Sequence, residues 1–232
     1  MPVAERGVLV AGGSGALGTA VLGALLEAGH AVTSTWIVDA ERDRVAGLFP
    51  DASRLSLVQA DVTDPADVDR AVAVVPELGA VINLVGGYAQ PGRVHETDPA
   101  AFQAMLELNL VPGFLLARAA MPRLVGAGGG AFVCVSARAA LRPFSGAAGY
   151  ITAKAGVLAF TKALDAEYRD DGIRCNAVLP GVIDTPANRA ANADADFSRW
   201  VTPEAVADVI AFLVSERSVA ITGAGVPVAG RS

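Results

Sequence analysis

Short apolar runs alternate with stretches of helical periodicity along almost the whole chain. "GVLVAG" precedes a helical pattern over 16–28, "HAVTSTW" one over about 40–48, and "LSLVQAD" one over about 65–75. "AVINLVGG" is followed by two helical stretches between 98 and 125, "AFVCVS" by one from about 149 to 170, and "IRCNAVLPG" by one at about 203–215. The run "GVPVAG" closes the series. Strand-length apolar runs separated by single helices predict parallel strands joined by right-handed crossovers. The pattern therefore predicts an α/β fold with one doubly wound sheet of seven parallel strands, flanked by helices. One segment breaks the rhythm: "DTPANRAANADADFSRW", residues 184–200, is polar and Ala-rich, and its place after the sixth strand makes it a candidate substrate lid.

Composition narrows this picture. The 232 residues suit one domain, 1–232, with no linker or repeat. Hydrophobic residues make up 53% and aromatics 6%, so Ala, Val and Leu must build the core, as in parallel strands covered by Ala-rich helices. The runs are too short to cross a bilayer, and "MPVAERGVLVAGG" is not a basic leader before a signal core, so no membrane partner and a cytoplasmic location are expected. A net charge of −6 without blocks of lysine or arginine makes nucleic acid a poor partner. Cys134 and Cys175 lie in apolar runs and read as buried small hydrophobes; with two histidines, His30 and His95, neither a disulfide nor a metal site is expected.

Directly after the first strand comes "AGGSGALG", residues 11–18, which places Gly13, Gly15 and Gly18 in a G-x-G-x-x-G spacing and opens a helix. Backbone amides there can hold a pyrophosphate at the helix N-terminus, the Rossmann arrangement, with Gly12, Ser14, Gly15, Ala16, Leu17 and Gly18 as candidate contacts. A flexible glycine turn is the bland alternative. Asp61-Val62 ends the third strand, where Asp61 could accept from an adenine amino group or cap the next helix. Asn83, Val85 and Gly86 of "NLVGG" end the fourth, where the glycines would let a cofactor approach. The second strand ends at Trp36, where an acidic residue would read a ribose hydroxyl and a basic one a 2′-phosphate; Asp39 favours one answer and Arg42 the other.

Tyr150 and Lys154 of "YITAK" are four residues apart, one turn of a helix, so an ammonium could stabilise a phenolate. A phenol of ordinary pKa near 10 needs such a neighbour to exchange protons near neutral pH. Alone, the pair could equally be a solvated surface contact. Together, "AGGSGALG", Asp61-Val62, "NLVGG", Asn109 in "LELNLV", "YITAK" and "LPGVIDTP" resemble the short-chain dehydrogenase/reductases over essentially the whole chain. The resemblance implies NAD(P)H as cofactor, with Tyr150 as proton donor or acceptor. It implies that Lys154 holds the nicotinamide ribose and lowers the phenol pKa, and that Asn109 supports a water chain to the lysine. It places Pro180, Gly181, Ile183 and Thr185 at the carboxamide, where a plain Pro-Gly turn is the alternative. It also implies a homodimer or homotetramer built on the helices around 100–125 and 149–170.

The family's catalytic serine falls on Ala137, one residue after Ser136. A one-residue step along a strand turns a side chain to the other face, so Ser136 serves as candidate only if a bulge turns it inward, with Ser145 as the other hydroxyl in reach. The dihydropteridine reductase branch resembles this chain in that alanine, in "GGSGALG" and in "DTPANR…ADFSRW". It implies a quinonoid ring acceptor, with a carbonyl or hydroxy compound of the ketoacyl-reductase type as the alternative, and a weakly catalytic cofactor-binding sensor or scaffold as a third.

Overall fold

The computed structural model describes residues 6–231. All seven strands are parallel: β1 (Gly7–Ala11), β2 (Ala31–Trp36), β3 (Leu55–Gln59), β4 (Leu78–Asn83), β5 (Gly130–Val135), β6 (Ile173–Pro180) and β7 (Gly225–Val228). They run in the order β3-β2-β1-β4-β5-β6-β7, with every neighbouring pair parallel. The order reverses between β1 and β4, and that reversal opens a crevice at the carboxyl ends of these two strands.

The helices are α1 (Ala16–Glu27), α2 (Asp39–Leu48), α3 (Pro65–Ala73), α4 (Pro99–Asn109), α5 (Val111–Gly126), α6 (Ala148–Tyr168), α7 (Pro186–Ala191) and α8 (Pro203–Val214). Strand residues serve the two faces alternately. Leu9 and Ala11 enter a core with Leu116, Met121, Leu124, Val157 and Leu164 of α5 and α6, while Val8 and Val10 enter a second with Val21, Leu22 and Leu25 of α1 and Ile210 and Leu213 of α8. Both faces are buried, which is why the strands read as continuous apolar runs. Each fully buried leucine contributes about 1.5–3 kcal/mol relative to exposure.

Several boundaries have local causes. Asp64 accepts from the amides of Ala66 and Asp67 and Pro65 opens α3, so Asp64, not Asp61, is that helix's cap. Asp98 caps α4 in the same way through the Ala100 amide. α4 and α5 form one apolar stretch, Pro99–Gly126, which by length and composition could cross a bilayer, contrary to the sequence expectation. It breaks at Leu110, two residues before Pro112, and the face carrying Leu116, Ala120, Met121 and Leu124 lies in the core. Segment 184–200 is also more regular than expected: it contains α7 and a 3₁₀ turn at Phe197–Arg199. Its ends are joined where the Asp184 amide donates to Val201 and the Val201 amide to Val182.

Cys134 and Cys175 are free and buried on adjacent strands, but Cys175 is in register with Phe132 and Cys134 with Ala177, so the thiols do not face each other. Burial pushes both thiols up to about 12.

Candidate active site

The glycines of the first loop have separate causes. A Cβ on Gly13 would stand 2.1 Å from the Ser34 hydroxyl of β2, and one on Gly18 2.4 Å from the Gly12 carbonyl, so both are required by strand and helix packing. Gly12 has φ +83°, and its amide donates to the Thr35 hydroxyl at 3.2 Å. Gly15 is different: the nearest atom to its absent Cβ is 3.7 Å away, so the protein itself does not forbid a side chain. Gly15 also starts α1 without a side-chain cap, and no acidic residue stands in the first turn. Uncapped amides at an open glycine fit a pyrophosphate. Ala16 and Leu17 begin the helix beside it, with Leu17 packed toward the core.

Residues beyond the loop tie it to α2. The Ser14 hydroxyl donates to Glu41 Oε2 at 2.8 Å, and Arg44 donates to the Ser14 carbonyl. At the end of β2 the Arg42 guanidinium lies 5.0 Å over the Trp36 ring and is held by Asp39 at 2.9 Å and Asp43 at 2.8 Å. Asp61 is exposed, and its Oδ1 accepts from the amide and hydroxyl of Thr63 at 2.9 and 2.7 Å, while Val62 beside it is core.

Gly86 is where the catalytic candidates meet. A Cβ there would lie 2.6 Å from Asn109 Oδ1 and 2.8 Å from Lys154 Nζ. The crowding comes from inside the protein, and Gly87 is likewise closed by Leu108 at 2.6 Å. Asn109 is 1% exposed; its Oδ1 accepts from the Gly87 amide at 3.1 Å and its Nδ2 donates to the Met105 carbonyl at 3.0 Å. Asn83 turns its Oδ1 to the Val85 amide at 3.1 Å, and Val85 packs near Gly12. Small residues set the helix spacing: at Gly149 a Cβ would touch Phe102 and Met105 of α4 at 3.3 Å, so α6 can bring Tyr150 and Lys154 up to Asn109.

Lys154 is 5% exposed and its Nζ donates to the Val135 carbonyl at 3.0 Å. Burial lowers its pKa to about 8. The Tyr150 phenol is pushed up to about 12, by burial first and by Tyr88 second. The ammonium points at a carbonyl, and desolvation disfavours its charged form.

Ser136 takes no part in the cleft. It is 2% exposed and its hydroxyl donates to the Lys154 carbonyl at 2.6 Å, so no bulge turns it inward as its candidacy required. Ala137, 7% exposed, stands at the position before the 3₁₀ turn Arg138–Ala140. Ser145 is exposed and presents its carbonyl to Gln90.

In the segment after β6, the Gly181 amide donates to Val228 and follows the buried Pro180. Ile183 bridges to Val201, and its carbonyl accepts from Asn188 Nδ2 at 2.8 Å. The Thr185 hydroxyl caps α7, accepting from the Asn188 amide at 3.2 Å. Above them Arg189 pairs with Asp184 and lies 4.9 Å over the Phe197 ring, itself 4.8 Å from Trp200. Among the described residues no group of three or more His, Cys, Asp and Glu could hold a metal.

One residue pair escaped the sequence reading. The Tyr88 ring stands edge-on to Tyr150, centroids 5.1 Å apart at 87°, and its hydroxyl donates to Gln90 Oε1 at 2.7 Å. The available signal was an aromatic directly after the glycine pair that ends β4, in "GGYAQ".

A nucleotide-binding crevice with a tyrosine, lysine and asparagine gathered at its floor defines a nicotinamide-dependent oxidoreductase of doubly wound fold. The comparisons agree: a family model described as "Enoyl-(Acyl carrier protein) reductase" matches residues 11–230. The cis-4-hydroxycyclohexanecarboxylate dehydrogenase of Sinomonas cyclohexanicum is 34% identical over 98% of this chain and 96% of its own. The 2-(R)-hydroxypropyl-CoM dehydrogenase of Xanthobacter autotrophicus is 33% identical over 77% of this chain and 78% of its own. Among solved structures, one titled "ElxO with NADP Bound" superposes with a TM-score of 0.90 at 27% identity, covering 97% of this chain and 98% of that one. The chain belongs to the short-chain dehydrogenase/reductase family and is an NAD(P)-dependent oxidoreductase. These relatives are named for hydroxy compounds and not for dihydropteridines, which backs the hydroxy-compound alternative better than the quinonoid-ring reading.

Proposed function

We propose that the protein interconverts a small secondary alcohol and its ketone, with Tyr150 carrying the proton. The observation that supports this most is the meeting of Lys154 Nζ and Asn109 Oδ1 at Gly86, on the same helix turn and helix junction that present Tyr150. Bound NAD(P) supplies the hydride acceptor or donor and, when oxidised, a positive ring. The loop from Gly12 to Gly18 would hold its pyrophosphate through α1 amides, with Trp36 as a residue for its adenosine end and Pro180 to Thr185 for its nicotinamide end.

In the oxidative direction Tyr150 must first lose its own proton to solvent, a loss that the positive ring of an oxidised cofactor would favour, and the phenolate then takes the hydroxyl proton of the alcohol as the C–H bond breaks. In reduction it returns that proton to the carbonyl oxygen, balancing the charge that hydride arrival creates there. Lys154 stands one helix turn from Tyr150 with its ammonium held by the Val135 carbonyl, and Asn109 holds the α4–α5 junction in place beside Gly86. Segment 184–200 would act as lid, joined at its neck through Asp184 and Val201 and carrying the Arg189–Phe197–Trp200 stack.

Purified protein is incubated with NAD⁺ or NADP⁺ and a panel of secondary alcohols, then with NADH or NADPH and the matching ketones and a quinonoid dihydropterin, following reduced nicotinamide. We expect turnover of alcohols and ketones, with Tyr150→Phe losing about 10²-fold or more while still binding cofactor. Turnover of the dihydropterin alone would refute the reading, as would a fully active Tyr150→Phe.

A further inference from the structure

We propose that Tyr88, held by Gln90, is a specificity-determining residue that favours ring-shaped, uncharged substrates over open-chain ones. The inference rests on the alcohol–ketone reading above and concerns the wall against which that substrate would lie.

Tyr88 is 58% exposed, yet it is fixed on three sides. Its ring meets the Tyr150 ring edge-on at 5.1 Å, and the Phe144 ring lies 6.4 Å away at 47°. Its hydroxyl is bonded to Gln90, whose Nε2 donates to the Ser145 carbonyl at 3.0 Å. That donation fixes the amide: with nitrogen toward Ser145, the oxygen faces Tyr88 and takes its proton. The phenol hydroxyl is thus engaged, and what Tyr88 offers the cleft is aromatic surface.

Gly146, at φ +90°, permits this closure, because a Cβ there would stand 3.1 Å from Gln90 Cγ; the Gly92 amide adds a bond to the Gly146 carbonyl at 3.2 Å. The segment after β4 and the segment before α6 are therefore strapped together across Tyr150. Exposed aromatics this ordered mark a surface awaiting an apolar occupant. Phe144 is 45% exposed and extends this aromatic surface. Aromatic rings held at a fixed tilt cover more of a compact ring than of a flexible chain, which must also lose conformational freedom on binding.

The test compares wild type, Tyr88→Ala, Tyr88→Leu, Tyr88→Phe and Gln90→Leu on cyclohexanol and 2-hexanol. We expect Tyr88→Ala and Tyr88→Leu to lower the ratio of kcat/KM for ring over chain by at least about tenfold, chiefly through KM. Tyr88→Phe should keep most of the ratio. Gln90→Leu, as a positioning residue, should raise KM for the ring alcohol and leave kcat unchanged. Saturation-transfer NMR of cyclohexanone on the same proteins reads binding without turnover, and should show contact in wild type that weakens in Tyr88→Ala. An unchanged ratio, or equal cyclohexanone binding in wild type and Tyr88→Ala, overturns the inference. Absence of alcohol turnover in wild type refutes the function proposed above, and the NMR comparison still decides the role of Tyr88.

Discussion

Ser136 donates its hydroxyl proton to the main-chain carbonyl of Lys154 across 2.6 Å, while the carbonyl of the preceding residue, Val135, receives the Lys154 ammonium at 3.0 Å. Two consecutive residues at the end of β5 thus grip one lysine at both its backbone and its tip. A serine that the sequence offers as a catalytic hydroxyl is instead a clamp on α6.

Replacing Ser136 by Ala should therefore destabilise the fold by about 1–3 kcal/mol, the cost of leaving a buried partner unsatisfied, and lower turnover only moderately. Urea unfolding and steady-state kinetics measure both. Full stability combined with a loss of catalysis as large as that of Tyr150→Phe would return Ser136 to the chemistry.

Ala137→Ser tests the other half of the pair. On a ketone substrate the added hydroxyl would donate to developing charge on oxygen, and turnover should rise by a factor corresponding to about 1–3 kcal/mol of barrier. Steady-state kinetics on one activated ketone gives the answer. No gain would show that another donor already serves that oxygen.

The buried lysine makes stability depend on pH. With a folded pKa lowered to about 8 from the usual 10.5, the unfolded chain binds more protons at Lys154 between those values, so this group's contribution to stability rises with pH there. The penalty is present below about pH 8 and gone above 10.5. Lys154→Met removes it, so the variant should be more stable than wild type at pH 7, by about 3 kcal/mol at most, with the gap narrowing toward pH 10. The cysteines and Tyr150 titrate the opposite way in both proteins and cancel in the comparison. A gap independent of pH would mean that folding does not lower the pKa of Lys154.

At the end of β2, Asp39 and Asp43 neutralise Arg42, the cation over Trp36, and Glu41 adds a further negative charge beside Ser14. NADH should accordingly bind more tightly than NADPH. Asp39→Asn with Asp43→Asn frees Arg42 and should shift the ratio toward NADPH by about threefold, the scale of exposed ion pairs. Titration calorimetry with both nucleotides checks it, and a ratio that does not move removes Arg42 from the choice.

Phe114 of α5 is 52% exposed and touches Phe160 of α6 edge-on at 6.3 Å, an apolar face shared by the two helices expected to pair between subunits. Light scattering at micromolar concentration should give a homodimer or homotetramer, and Phe114→Glu should shift it toward monomer. A monomeric wild type would contradict this.

Periodicity alone determined the strand and helix order, because strands buried on both faces must be apolar throughout and crossover helices must be apolar on one side. Spacing singled out Gly13, Gly18, Tyr150 and Lys154 as candidates, since each belongs to a local motif written in nearly consecutive residues, while Asn109 came from the family resemblance alone. Tertiary structure decided what depends on direction and on distant neighbours. Ser136 could be placed in or out of the cleft only once β5 had its twist and α6 its depth. Gly86 is glycine because Asn109, 23 residues away, and Lys154, further still, both arrive at it. The cap of α3 falls to Asp64 because Asp61 turns onto Thr63. Tyr88 acquires its place through Gln90 and a carbonyl 55 residues distant from that amide, a contact that exists only when the β4 and β5 loops close over the same helix.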